Sequence, residues 1–179
     1  MPNLTEFRKE FYGVRPNRFL IEGFTPTNEA YSLAEDTWIY VKAADLPGSN
    51  IGAIGVNWQG RAVKFSGERV YSDWVIQVYD SNVSGPLLRE AFEAWIDAMD
   101  QRDTHSINYN LVADWTIKYS DLVSTSTPGD GQRFTKAVKL KNCFPTDLGS
   151  INLNYDAMDS FAEFQVQMAY DYWEFVPVQ

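Results

Sequence analysis

The sequence is poor in the residues that usually carry chemistry. It contains one histidine, His105, and one cysteine, Cys143, in 179 residues. A single thiol cannot close an internal disulfide, and without a Cys/His cluster there is no zinc site to propose. The cysteine count is compatible with a reducing compartment. His105 lacks partners for metal binding or base catalysis, so the expectation is a satisfied or exposed loop histidine. Cys143 sits beside Phe144 and Pro145 and is expected to be a small buried hydrophobe. Gly48, Gly52, Gly55 and Gly60 lie in a loop, strand and turn run with no helix after them, so they do not form a phosphate-binding loop. No stretch is long and apolar enough to span a bilayer, and Arg8, Lys9 and Glu10 interrupt any signal-like run. The expectation is a soluble chain with no cofactor, no metal and no membrane partner.

Positive charge is also scarce. Fifteen Lys and Arg face 24 Asp and Glu, a formal net charge of −9. That balance argues against wrapping nucleic acid, which requires cations at the phosphates, although DNA can pass such a surface without sticking. The charge is uneven: Arg8, Lys9, Arg15 and Arg18 against Glu6 and Glu10 leave residues 1–20 at +2 and the remainder at −11. A basic arm on an acidic body suits recognition between copies, and equally suits a solvated terminus. The surplus carboxylates read as solvated faces and not as a catalytic pair. No constellation points to an enzyme.

What the chain has is apolar and aromatic mass, 45% hydrophobic and 15% aromatic. That favours a folded, β-rich domain. Residues 1–16 read as an arm closed by Arg15-Pro16, and residues 17–179 as one domain. Strands are expected at Phe19-Leu20-Ile21, Thr37 to Ala43, from Ile54 through Val56 and Trp58, at Val63 and Phe65, and from Trp74 to Tyr79. Leu46 to Asn50 reads as a loop, and Gln59-Gly60 as a hairpin turn. One helix is expected over about 85–102, with Ser84 as N-cap and Pro86 in its first turn. Its apolar stripe runs through Leu88, Phe92, Trp95 and Met99, opposite an acidic stripe of Glu90, Glu93, Asp97 and Asp100. Strands resume at Trp115, Ile117 and Tyr119. Phe134 to Asn142 carries Lys136, Lys139 and Lys141, which suit an exposed or edge strand. Phe144 to Asp147 is expected to turn the chain, with alternation again at Ile151, Leu153 and Tyr155. The last strand is expected to run from about Phe161 to Glu174. The Trp and Tyr residues could stack on a sugar or base, but their alternation favours core packing. The expected class is mainly β: an antiparallel sandwich or partly closed barrel with one flanking helix.

Several motifs, taken in order, resemble one family. Arg15-Pro16-Asn17-Arg18-Phe19 with Ile21-Glu22 is similar to the first strand of the tail tube proteins of contractile-tailed bacteriophages. Lys42-Ala43-Ala44-Asp45-Leu46-Pro47 is similar to that family's strand-to-loop exit. Val56 to Arg61, Gly67-Glu68-Arg69 and Asp73-Trp74 resemble its central signature. The closing set is the most specific: Phe144-Pro145-Thr146-Asp147-Leu148-Gly149, then Leu153, Tyr155, Phe164, Val166 and Asp171-Tyr172-Trp173-Glu174. Residues 23–36 and 124–132 depart from the pattern.

The resemblance implies a non-enzymatic subunit whose fold is shared with the type VI secretion tube protein. It implies hexameric rings stacked into a tube inside a contractile sheath, with baseplate and tail terminator proteins as further partners. Viral DNA would cross the lumen without specific binding. The protein would reside in the virion tail, and in the host cytoplasm during assembly. Arg8, Lys9, Arg15, Asp45, Leu46 and Pro47 become candidate ring-interface residues. Glu90, Glu93, Asp97 and Asp100 become candidate sheath-facing residues. The alternatives are the tube of a headless contractile particle and, from a different class, a monomeric carbohydrate-binding sandwich.

Overall fold

The computed structural model describes residues 4, 14–23, 26, 41–81, 88–101, 106–121, 136–156, 158 and 160–177. Within them the chain forms β1 (Val14–Glu22), β2 (Val41–Ala44), β3 (Ser49–Trp58), β4 (Arg61–Tyr71), β5 (Trp74–Tyr79), α1 (Leu88–Met99), β6 (Asp100–Gln101), β7 (Ser106–Ile107), β8 (Ala113–Asp121), β9 (Lys136–Leu148), β10 (Glu163–Ala169) and β11 (Tyr172–Val176). Every strand pairing is antiparallel. The mainly β expectation with one principal helix holds.

Strand β9 organises the molecule. Its first half pairs with β8 and β11, and β8 pairs with β1. Its second half pairs with β10, which continues to β5 and β2. The switch occurs at Asn142, whose φ of 56° lies in the left-handed region that Asn tolerates better than most side chains. One residue in that conformation shifts the side-chain parity of the strand. Val138 and Leu140 point inward before it, Cys143 and Pro145 after it. Both halves of one strand therefore feed the same core. The Asp114 carboxylate accepts the Asn142 backbone N–H at 3.2 Å, and the Asn142 side-chain amide donates to Asp171. The other strand crossing this corner breaks there too, between β10 and β11.

Three strand expectations are corrected here. Phe144 to Asp147 is not a turn but the continuation of β9. Its proline is accommodated because Thr146 bulges between the pairs Pro145↔Met168 and Asp147↔Gln167. The single strand expected over Phe161 to Glu174 is two strands, because the chain changes partner at Tyr170-Asp171. Likewise β9 is a central strand; Lys139 and Lys141 lie on its outer face, paired with Asp114 at 3.1 and 2.9 Å.

The core is a ring cluster closed by α1. Leu88, Ala91, Phe92 and Trp95 form the helix's buried face. Phe92 lies 6.3 Å from Trp115 of β8, 6.3 Å from Phe164 of β10 and 6.4 Å from Trp95. Trp74 of β5 meets Trp115 edge-on at 5.9 Å. Buried indoles need acceptors: Trp74 donates to the Asp45 carbonyl at 2.7 Å and Trp95 to the Leu111 carbonyl at 2.9 Å. Gly23 lies flat on Trp115, and a Cβ there would sit 2.2 Å from the ring. The helix ends at Met99, short of the expected 102, because Asp100 pairs with Ile107 and the Met99 carbonyl accepts the Asn108 N–H. Ser84 and Pro86 fall outside the described residues, as do the strand positions before Val41.

Candidate assembly surfaces

Strands β3 and β4 form a two-stranded sheet of their own. Ten and eleven residues long, they reach roughly 33 Å along the strand direction. The turn is Gln59-Gly60, with φ of 48° and 79°. Two positive values match a type I′ turn, whose twist suits a hairpin. Cross-strand pairs Ile54↔Phe65, Val56↔Val63 and Trp58↔Arg61 share one face. The opposite face carries Ala53↔Ser66, Gly55↔Lys64 and Asn57↔Ala62. One side is thus apolar and the other small or polar, the pattern of a sheet with one covered face. Yet Trp58 is 67% exposed, and Ile54 and Phe65 are each 56% exposed. Core packing, expected for the alternating aromatics, holds for Trp74, Trp95 and Trp115 but not for Trp58.

Loop 149–162 is the second unusual surface. Its ends are fixed: Gly149 donates to the Gln165 carbonyl at 2.7 Å, Arg89 to the Gly149 carbonyl at 2.6 Å, and Asp80 to the Ala162 carbonyl at 2.9 Å. Between them Leu153, Tyr155, Met158 and Phe161 are almost fully exposed. The alternation at Ile151, Leu153 and Tyr155 is present but does not form a strand. A depression of about 400 Å³ opens beside Leu153, Tyr155 and Phe161.

Of the candidate ring-interface residues, Asp45, Leu46 and Pro47 occupy the loop between β2 and β3, at the root of the hairpin. Asp45 and Leu46 are exposed and Pro47 half-buried. Arg8 and Lys9 lie outside the described residues, and of Arg15 only the backbone, in β1, is described. Of the acidic candidates, Glu90 and Asp100 are exposed while Glu93 and Asp97 are half-buried. Asp100 belongs to β6 and not to the helix. Arg89 contacts Glu93 at 3.3 Å.

Among the described residues no catalytic arrangement emerges. Burial pushes the Cys143 thiol up to about 12, so it stays protonated and inert. Burial also pushes Asp114 upward, but hydrogen bonds from Lys141, Lys139 and the Asn142 amide outweigh it and hold the carboxyl below its usual range. Those contacts lock the β9 corner. His105 falls outside the described residues.

A β fold built on one seven-stranded sheet, with a helix on its core and exposed apolar side chains on a separate hairpin, offers surfaces for association. A family model described as phage tail tube protein matches residues 14–176, and the chain belongs to that family. It is 26% identical over 160 residues to tail tube protein gp19 of Enterobacteria phage T4, covering 89% of this chain and 90% of that one. It is 23% identical over 135 residues to the tail tube protein of Serratia phage KSP90, covering 75% and 72%. Among solved structures, a chain of the sheath–tube complex of an extracellular contractile injection system, PVC, superimposes with a TM-score of 0.64 at 14% identity, over 99% of this chain and 100% of that one. A chain of the anti-feeding prophage baseplate gives 0.62 at 11% identity, over 95% and 99%. The protein is a structural tail component, not an enzyme.

Proposed function

We propose that this chain builds the inner tube of a contractile phage tail, as hexameric rings stacked within a sheath. The observation that carries the reading is the projecting β3–β4 hairpin with its apolar face in water. Isolated hairpins are marginal in water, and an exposed apolar face is a docking surface or a liability. Ring closure and stacking convert it into an interface. The likeness to chains from a sheath–tube complex and a baseplate supports the same reading. Asp45, Leu46 and Pro47, with Arg8, Lys9 and Arg15 of the arm, contribute to ring contacts. The tube joins a baseplate and a terminator. DNA passes its lumen without adhering, because acidic and uncharged polar groups line it. Gln77, Gln165 and Gln167, on the outer face of β5 and β10, are the kind of surface this requires. The protein assembles in the host cytoplasm and ends in the virion tail.

The test is light scattering with negative-stain microscopy of the purified chain, alone and with its cognate baseplate. Rings or hollow tubes are expected; a dispersed monomer under both conditions overturns the reading. Because the similar structures come from injection particles, a headless owner is the second reading. Capsid and portal genes beside this one would decide for a phage. The sheath contacts the acidic surface of α1, where Glu90, Glu93 and Asp97 are carried. Reversing all three to lysine should weaken sheath binding about tenfold or more at low salt. Unchanged co-sedimentation with sheath would refute that assignment.

A further inference from the structure

We propose that the hairpin tip of one copy, led by Trp58, seats in the depression lined by residues 152–155 and 160–162 on a second copy. The inference rests on the tube reading and specifies its contact.

Both halves of the pair are largely exposed in the single chain. Among the described residues the hairpin strands are hydrogen-bonded only to each other, and Trp58 stands at the tip beside the Gln59-Gly60 turn. A large, stiff, half-wet indole is the side chain most often found as the anchor of an interface. Loop 152–161 supplies the complement: a depression of about 400 Å³ walled by Leu153, Tyr155 and Phe161. Its rim is not loose. Phe161 packs edge-on against Tyr79 at 6.3 Å, and the Asp156 N–H donates to the Asn154 side chain at 3.0 Å. One wall of the depression is thus anchored on β5 through Tyr79, and the other is shaped by a contact within the loop.

Charge favours a second copy as the occupant. The hairpin carries Arg61, Lys64 and Arg69 against the single Glu68. Residues 150–162 carry Asp156 and Asp159 and no Lys or Arg. Arg61 lies opposite Trp58 on the same face, so an indole entering the depression brings a guanidinium toward Asp156, which follows the lining residue Tyr155 in the chain. The acidic surface of α1 also attracts a basic tip, but Glu93 and Asp97 there are half-buried. Two different patches meeting on successive copies make a head-to-tail contact, the kind that propagates a ring or a stack.

The experiment replaces Trp58 with the photo-reactive residue p-benzoylphenylalanine and assembles it with isotope-labelled wild-type chain. Irradiation should link the tip to residues 152–161 of the labelled copy, read by mass spectrometry of the cross-linked peptide. Links to any other segment in well-formed tubes overturn the seating and leave the tube reading intact. A wild-type chain that never assembles, even on its baseplate, overturns the tube reading and the seating with it. A second set of variants covers the case in which the bulky probe blocks assembly. Arg61→Glu and Asp156→Arg should each raise the concentration needed for assembly about tenfold. The double variant should recover most of that loss; additive losses with no recovery overturn the pairing.

Discussion

Replacing Ile54 with aspartate is expected to give a folded, dispersed subunit that no longer assembles. The two effects separate because Ile54 belongs to the hairpin and not to the core. Its cross-strand partner is Phe65, and both are more than half exposed in the isolated chain. Losing such a pair costs the subunit about 0.2–1 kcal/mol, the scale of a cross-strand contact. For a chain of this length that shifts the melting temperature by no more than about 4 °C. On the proposed tube reading the same position is covered in the assembly. Removing a buried apolar side chain forfeits about 1.5–3 kcal/mol, and an unpaired carboxylate in its place adds a desolvation cost. The assembly concentration should rise a hundredfold or more, at about 1.4 kcal/mol per factor of ten. Val56→Asp, on the same face opposite Val63, should behave alike. Lys64→Ser lies on the other face and should change assembly far less. Normal tubes from Ile54→Asp at the wild-type concentration would show that the apolar face is not an interface.

The sequence made some of this arrangement legible and hid the rest for a physical reason. Alternation located β3, β4, β5, β8 and β10, because a period of two leaves a trace whatever covers the face. It could not say what does the covering. Ile54, Val56 and Trp58 alternate as core residues do, yet they stand exposed in the single chain, and on the proposed tube reading a second copy covers them. The turn at Gln59-Gly60 was readable, because few residue pairs tolerate two positive φ values. The corner at Asn142 was not: its conformation is decided by Asp114 and Asp171, which are distant in sequence. From the sequence Phe144 to Asp147 therefore reads as a turn, although a bulge accommodates Pro145 within β9. The apolar side chains of loop 152–161 were present among Asn, Asp and Ser residues that argue for a loop. Apolar residues in a polar loop were the available sign of a docking surface.

Phe92→Ala should do the reverse of Ile54→Asp and remove fold stability while touching no assembly surface. Phe92 is completely buried and is the one side chain of α1 in ring contact with both halves of the β9-centred sheet, through Trp115 and Phe164. Truncating a buried Phe costs about 3–5 kcal/mol, including the cavity left behind. The surrounding rings are held by their own strands and cannot collapse into the space. Against a total of about 5–15 kcal/mol for a domain, that is a large share, and the midpoint should fall by roughly 6–20 °C. Assembly would mask the loss, because a ring that binds only the folded subunit restores stability by mass action. The measurement therefore belongs in the Ile54→Asp background, by denaturant titration, where the chain stays dispersed. Phe65→Ala in the same background should cost less than about 1 kcal/mol, since Phe65 has little burial to lose. A Phe92→Ala loss no larger than that of Phe65→Ala would mean that the helix is not the closure of the core. With the expected contrast, two phenylalanines of one chain divide the work: Phe92 holds the subunit together, and Phe65 becomes structural only when a second copy covers it.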